Sequence, residues 1–214
     1  MDGMELYVGR RRLPPDVRKA QIVRTAADFF SEHGFAGSTR DLAAEIGVTQ
    51  ALLYRYFDTK EALIAAVFDE LRDRYDPANA AVLQNTAMPI NERVVEFYRT
   101  YLARVSDPLS CRLFMYSALA GYDFNQKIAP SVEESALKPV LAALRKEAGL
   151  AARRSGPLTA AEYELVAPLH AAMVNLCVRR YIYRAAMDDA RFTQALSTAA
   201  AVCVGGIIAV LKAG

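Results

Sequence analysis

One interruption between two short helical stretches most constrains what this chain can fold into. The segment EIGVTQALLYRYF, residues 45–57, begins with a helical pattern, is broken at Gly47, and resumes at once in a run that carries three aromatic rings. Glycine adopts the positive φ of a tight turn at little cost, and Thr49 can cap the second stretch. Two short helices joined in this way, and supported by a longer one, form a helix-turn-helix.

The flanking sequence supplies that supporting helix and its neighbours. Residues 16–33 place apolar side chains on one broad stripe and stop at Gly34, which predicts a long first helix. Ser38 marks the start of a short second helix, and Asp58 with Glu61 marks the start of a fourth. The N-terminal third is therefore predicted to be a compact helical unit.

The rest of the chain shows helical periodicity and no sustained strand alternation. Capping signals predict further helices at about 91–105, 108–120, 131–148, 159–186 and 189–212. The predicted fold is all-α, with about nine helices. The predicted divisions are a basic N-terminal arm at 1–15, a helix-turn-helix domain at 16–62, a connecting helix and linker at 63–88, and a ligand-binding and dimerisation domain at 89–214.

Composition narrows the class of protein without naming a partner. The 214 residues are 53% hydrophobic, and a formal charge of +2 neither requires nor excludes a polyanion. The three cysteines are odd in number and widely spaced, which favours reduced thiols over a disulfide framework. No secretory signal is evident at the N-terminus, so we expect a cytoplasmic protein.

Residues 195–211 carry no charge and approach the length of a membrane span. Two interpretations follow, a helix buried against other helices and the tail anchor of a helical membrane protein. Polar residues at the start of the segment, the Gly205-Gly206 pair and a high alanine content favour the buried helix.

Residues 22–63, IVRTAADFFSEHGFAGSTRDLAAEIGVTQALLYRYFDTKEAL, resemble the DNA-binding region of the TetR family of bacterial transcriptional regulators. The shared framework includes Gly34-Phe35, Leu42-Ala43, Ile46-Gly47-Val48 and Tyr56-Phe57. The remainder resembles the family only in being helical and of suitable length. The resemblance implies a homodimeric repressor that binds a double-stranded palindromic operator and is released from it by a small-molecule effector.

The exposed face of the second short helix is the expected reader of DNA bases. It offers Gln50, Ala51, Leu52, Tyr54 and Arg55, side chains able to hydrogen-bond base edges or contact a thymine methyl. Tyr54 and Tyr56 point in different directions on a helix, so at least one hydroxyl should lie near the surface. By the resemblance, Thr39, Tyr56 and Lys60 face phosphates.

The basic N-terminal arm, with Arg10, Arg11 and Arg12, has two interpretations that the sequence leaves open. It can reach into a minor groove, as arms of other helix-turn-helix proteins do. It can equally be a solubilising tail.

Two further sets of residues are assigned to the C-terminal domain. The resemblance implies a small-molecule pocket, with the candidates Phe97, Tyr101, Phe114, Met115, Tyr122, His170 and Met173, although for each of them alone packing in the core is the more usual explanation. A dimer interface is predicted on the last two helices, at Leu169, Met173, Leu176, Ala199, Cys203, Gly206 and Val210.

Enzymatic chemistry has no support in the sequence. The chain has no phosphate-cradling glycine loop and no nucleophile elbow, and its carboxylate pairs look like first-turn helix charges. His170 has no second ligand at metal-binding spacing, so no metal and no cofactor are expected. A helix-turn-helix regulator controlled by a protein partner remains an alternative.

Overall fold

The computed structural model describes residues 14–75, 77–153 and 155–213, and all regular structure in those ranges is helical. The helices are α1 (Pro15–His33), α2 (Thr39–Ile46), α3 (Gln50–Tyr56), α4 (Lys60–Arg72), α5 (Ile90–Val105), α6 (Pro108–Leu119), α7 (Phe124–Val132), α8 (Lys138–Glu147), α9 (Ala160–Cys177) and α10 (Asp189–Ala213). A 3₁₀ segment spans Pro77–Gln84, and π turns follow α7 at Glu133–Leu137 and α9 at Val178–Ile182.

The all-α prediction is confirmed. For one helix, however, the predicted start lies after the observed one. Helix α7, its π turn and α8 run without a break, so the described residues form nine continuous helices. The predicted start at 131 is wrong, because the helix already begins at Phe124. Its N-cap residue is Asp123, a common capping residue, although its side chain makes no capping hydrogen bond here.

Most of the predicted caps are confirmed. Thr49 accepts from the amide of Leu52 at 3.1 Å, and Thr159 forms a capping box with Glu162. The predicted start of α4 at Asp58 is wrong by one residue. Thr59 is the cap, and its hydroxyl accepts from the amide of Ala62 at 3.0 Å.

The helix-turn-helix is held by a core that extends beyond the predicted domain boundary between residues 62 and 63. Phe30, Leu42 and Leu53 are buried at its centre. Helix α4 crosses the predicted boundary, and side chains of α6 and α7 join the same cluster. The short helices are thus packed directly onto the larger domain.

At two positions in this unit the backbone geometry requires glycine. Gly47 ends α2 in the left-handed region, with φ 74° and ψ 36°, which lets α3 begin at once. At Gly37 an added Cβ would lie only 2.5 Å from the ring of Phe29. A side chain there would push the turn before α2 away from α1.

A second core lies between α5, α8, α9 and α10. Tyr98, Leu169 and Met173 are fully buried in it. Arg93 is also buried, where it donates to the carbonyl of Leu83 at 3.0 Å and pairs with Glu147 at 2.5 Å. A buried guanidinium needs such partners, because its uncompensated charge would be costly.

Helix α10 is buried on one face only. Leu196, Ala200, Val204 and Ile207 pack against the second core, whereas Val202 is 72% exposed. The prediction that this segment is buried against other helices therefore holds within one chain for one side of the helix. By length and composition, α10 is also the one helix among the described residues that could cross a membrane.

Candidate nucleic-acid interface and apolar cavity

The exposed face of α3 is organised by a short hydrogen-bond network to the start of α2. The side-chain amide of Gln50 donates to the hydroxyl of Thr39 at 2.9 Å, and the Tyr54 hydroxyl lies 3.2 Å from the same oxygen. Gln50 and Tyr54 are one helical turn apart, so both lie on the face that looks toward Thr39. Two predicted base-contacting side chains and one predicted phosphate-contacting side chain are thereby brought together.

The other predicted base-contacting residues share this surface. Ala51 and Arg55 are exposed, and Leu52 is half-buried. The side chain of Arg55 makes no hydrogen bond or ion pair with any of the described residues. Tyr54 is 39% exposed, which fits the prediction that at least one tyrosine hydroxyl of α3 reaches the surface.

The remaining predicted phosphate contacts are less exposed. Tyr56 is half-buried against the core of the helix-turn-helix. Lys60 is half-buried too, and its ammonium donates to the carbonyl of Gly37 at 2.6 Å. In the absence of DNA, Lys60 therefore stabilises the turn between α1 and α2. Its ammonium has further N–H groups that can donate to a phosphate.

One basic residue beside this surface escaped the sequence interpretation. Arg40 is exposed next to Thr39, in the first turn of α2. Its position two residues after the helix-capping Ser38 could have indicated it, since helix N-termini favour anions. The predicted arm residues Arg10, Arg11 and Arg12 lie outside the described residues.

A cavity of about 380 Å³ lies between α4, α5, α6, α7 and α9. Four predicted pocket residues, Tyr101, Phe114, Met115 and His170, line it. Its volume is within the range of small-molecule pockets. Ala171 and Asn175 of α9 line the cavity and are also exposed, so it opens to solvent on that side.

Three predicted pocket residues lie elsewhere. Phe97 and Met173 are fully buried in the second core, where they fill space between helices. Tyr122 packs edge-on against Phe35, with ring centroids 4.9 Å apart, in the first core. Aromatic content alone could not separate wall residues from core residues.

Several wall residues were missed by the sequence interpretation. Cys111 shares the helical stripe of Phe114 and Met115, so spacing could have identified it. Asn125, Ile128 and residues further along α7 form another stripe. They could not be placed, because the start of α7 itself was not recognised.

The polar groups of the cavity wall carry no charge at neutral pH. No Lys, Arg, Asp or Glu lines the cavity among the described residues. Burial lowers the pKa of His170 to about 4 and raises the pKa of the Cys111 thiol to about 12. Burial also raises the pKa values of Tyr75 and Tyr101 above their usual range.

The low pKa of His170 makes stability depend on pH in a defined window. The imidazole is neutral in the folded chain down to about pH 4, whereas in the unfolded chain it takes up a proton below about pH 6.5. Between these values the unfolded state binds more protons, so the free energy of unfolding falls as the pH is lowered.

Replacing His170 with Gln is therefore expected to make the protein less sensitive to acid. Relative to the variant, the wild type should lose about 3 kcal/mol of unfolding free energy between about pH 7 and pH 4. Urea unfolding at a series of pH values measures this difference. The matched control is His33→Gln at the exposed end of α1, and a constant difference between wild type and the His170 variant contradicts the prediction.

The helix-turn-helix is connected to the cavity through the end of α4. Arg74 donates to the carboxylate of Asp107 at 2.8 Å and to the hydroxyl of Ser110 at 3.1 Å. Asp107 also caps α6, and Ser110 lines the cavity together with Leu71 and Tyr75. The segment that follows α4 is therefore hydrogen-bonded to the start of α6, which contributes to the cavity wall.

The predicted dimer-interface residues divide into two groups. Leu169, Met173 and Leu176 are buried in the core of the single chain, where they pack against its own helices. Ala199 and Cys203 are half-buried, and Gly206 and Val210 are exposed. The predicted interface residues that are accessible in the single chain therefore all lie on α10.

Comparison with known proteins identifies the N-terminal unit. The model of the TetR family of bacterial regulatory proteins matches residues 22–67. An HTH-type transcriptional repressor of Mycobacterium tuberculosis is 42% identical over 65 residues, which are 29% of this chain and 35% of that protein. The HTH-type transcriptional regulator RutR of Escherichia coli is 34% identical over 115 residues, 53% of each chain. The matches thus span about half or less of these relatives.

Solved structures share the fold over nearly the whole chain. A TetR-like transcriptional regulator of Rhodococcus has a TM-score of 0.63 at 19% identity and covers 91% of this chain and all of its own. A tetR-family regulator of Streptomyces coelicolor has a TM-score of 0.61 at 18% identity, with 94% and 90% covered. Given the match across its helix-turn-helix and this shared helical fold, the chain belongs to the TetR family of helix-turn-helix transcriptional regulators.

Proposed function

We propose that the chain is a cytoplasmic, homodimeric repressor that binds a palindromic DNA operator and leaves it when a small molecule enters the cavity. The observation that carries this proposal is the position of α4. It begins beside the helix-turn-helix, where Lys60 donates to Gly37, and its last turn and the residues after it reach the cavity wall at Leu71 and Tyr75. Its 13 residues extend about 20 Å.

DNA recognition is supported by the surface of α3. Its exposed side chains combine an amide, a phenol and a guanidinium, groups that hydrogen-bond base edges and phosphates. Thr39 and Arg40 border the same surface at the start of α2. A single helix-turn-helix reads few base pairs, so a dimer with two α3 helices about one DNA turn apart suits a palindrome.

Release from the operator by a ligand follows from the position of α4 and α6, because both helices contribute residues to the cavity wall. A ligand that favours one position of α4 and α6 alters the separation of the two α3 helices in the dimer. Operator and ligand then oppose each other, and each lowers the affinity for the other by the same factor. An effector that weakens operator binding, while operator leaves effector affinity unchanged, contradicts this mechanism.

Fluorescence anisotropy on DNA fragments flanking the gene, with scrambled DNA as control and over a salt series, tests the first step. We expect specific fragments to bind two chains per site, with an affinity that falls as salt is raised. Equal and steeply salt-dependent binding to every fragment contradicts an operator-binding repressor. Cell fractionation separates the proposal from a tail anchor on α10, because a membrane-bound chain contradicts a cytoplasmic location.

A further inference from the structure

The cavity contains polar atoms that the protein itself leaves unpaired. The Tyr101 hydroxyl and the side-chain oxygen of Asn125 are buried with no hydrogen-bond partner of normal geometry among the described residues. Tyr101 is only 2% exposed, and the nearby Ser135 hydroxyl, which donates to the carbonyl of Ser131, makes no hydrogen bond of normal geometry with it. Buried polar groups are normally paired, so unpaired ones in a cavity wall indicate the position of a ligand.

His170 adds a donor beside Tyr101. Its Nδ1 lies 3.3 Å from the hydroxyl of Tyr98, which is fully buried and has no other partner among the described residues. Both groups are satisfied when Tyr98 donates to Nδ1, which leaves the hydrogen of the neutral imidazole on Nε2. The rings of His170 and Tyr101 are 5.7 Å apart, so their two donors serve one region of the cavity.

The rest of the wall excludes a charged ligand. It has no cationic or anionic side chain among the described residues, and most of the surface it presents is apolar, including Leu71, Phe114, Phe124 and Val174. A charge placed there would lose its hydration without gaining a counter-ion. A neutral molecule loses little hydration free energy in the cavity, because its apolar part replaces water along the wall.

We propose that the ligand of this cavity is an uncharged, largely apolar molecule with a carbonyl-type oxygen that accepts hydrogen bonds from Tyr101 and His170. The inference rests on the proposed function, since it names the chemical class of the effector. Asn125 provides an acceptor for a second, donating group of such a molecule.

Isothermal titration calorimetry on the DNA-free protein tests the ligand class with four probes of one shape, namely acetylnaphthalene, ethylnaphthalene, naphthoate and naphthylmethylammonium. We expect the ketone to bind about four- to a hundredfold more tightly than the hydrocarbon, since each of two hydrogen bonds contributes about two- to tenfold. Both ions should bind at least about a hundredfold more weakly than the ketone.

Two matched variants assign the preference for the ketone to side chains of the cavity wall. Tyr101→Phe should lower the ratio of ketone to hydrocarbon affinity by about two- to tenfold, the contribution of one hydrogen bond, and leave the contribution of His170, while hydrocarbon affinity stays within about twofold. Tyr116→Phe, which alters a tyrosine packed beside Gly34 and outside the cavity, should keep the wild-type ratio. Thermal unfolding of both variants checks that each is folded.

The outcomes separate this inference from the repressor proposal. Ion binding as tight as that of the ketone, failure of all four probes to bind, or an unchanged ratio in Tyr101→Phe overturns the ligand class, whatever the protein does on DNA. Selective binding of the ketone, with no effect of the ketone on operator affinity, supports the ligand class and removes release by a ligand from the proposed function.

Discussion

Replacing Val202 with Asp is expected to convert a dimer into a monomer and to weaken operator binding by on the order of a hundredfold or more. Val202 is 72% exposed at the centre of the outward face of α10, with Thr198, Gly205, Gly206 and Ala209 around it. In a two-fold interface the substitution buries two carboxylates close to the axis, where neither has a partner. A monomer then holds one half-site instead of two.

The two glycines of α10 strengthen this expectation. Each glycine inside a helix costs about 1 kcal/mol relative to alanine. Contacts among the described residues of one chain do not explain them, because a Cβ added at either Gly205 or Gly206 meets no atom within 4 Å there. Close approach of a second helix is the physical use of such a pair.

Light scattering coupled to size-exclusion chromatography, followed by anisotropy on the operator, measures both effects. The matched control is Leu119→Asp on α6, which places the same charge at a position that is 86% exposed and away from α10. The control should remain dimeric. A dimeric Val202→Asp protein with unchanged operator affinity places the interface elsewhere.

The helix-turn-helix could be predicted from the sequence because its signals are local. A capping hydroxyl at Thr49, a left-handed Gly47 and the apolar spacing of Leu53 and Phe57 each act within a few residues. These signals agree with one another, so the short helices were placed nearly to the residue. The start of α4 was misplaced by only one residue, since Asp58 and Thr59 are both capable caps.

The cavity could be predicted only in part, because its wall depends on tertiary packing. Tyr101 and Phe97 lie one turn apart on α5 and look alike in sequence, yet only Tyr101 lines the cavity. The same problem affects the dimer surface. Leu169 and Met173 form an apolar stripe on α9, but the stripe faces the chain's own core, and one chain alone does not show which stripe a second copy covers.

The hydrogen bonds around Thr39 imply different roles for neighbouring residues of α3. Gln50 and Tyr54 are already paired with Thr39, so DNA must either accept this arrangement or compete with it. Arg55 is exposed and has no such contact among the described residues. Its guanidinium can therefore meet DNA without breaking an internal bond, which makes Arg55 the strongest candidate for direct base recognition.

Replacing Arg55 with Ala is expected to remove most of the preference for operator over scrambled DNA. A bidentate contact between arginine and guanine contributes about 1–3 kcal/mol of discrimination, and a dimer uses two copies. The specificity ratio should fall on the order of a hundredfold or more, while affinity for scrambled DNA changes little. Anisotropy on both DNAs over a salt series measures the ratio and the salt slope separately.

The matched control is Arg99→Ala on α5, which removes the same charge from a residue paired with Glu96 and remote from α3. It should leave both affinities unchanged. If Arg55→Ala instead weakens operator and scrambled DNA equally, and lowers the salt slope by about one for each copy, Arg55 contacts phosphate and does not read a base. Discrimination would then depend on Gln50 and Tyr54, which can use the hydrogen-bonding groups not engaged with Thr39 or give up their bonds to it.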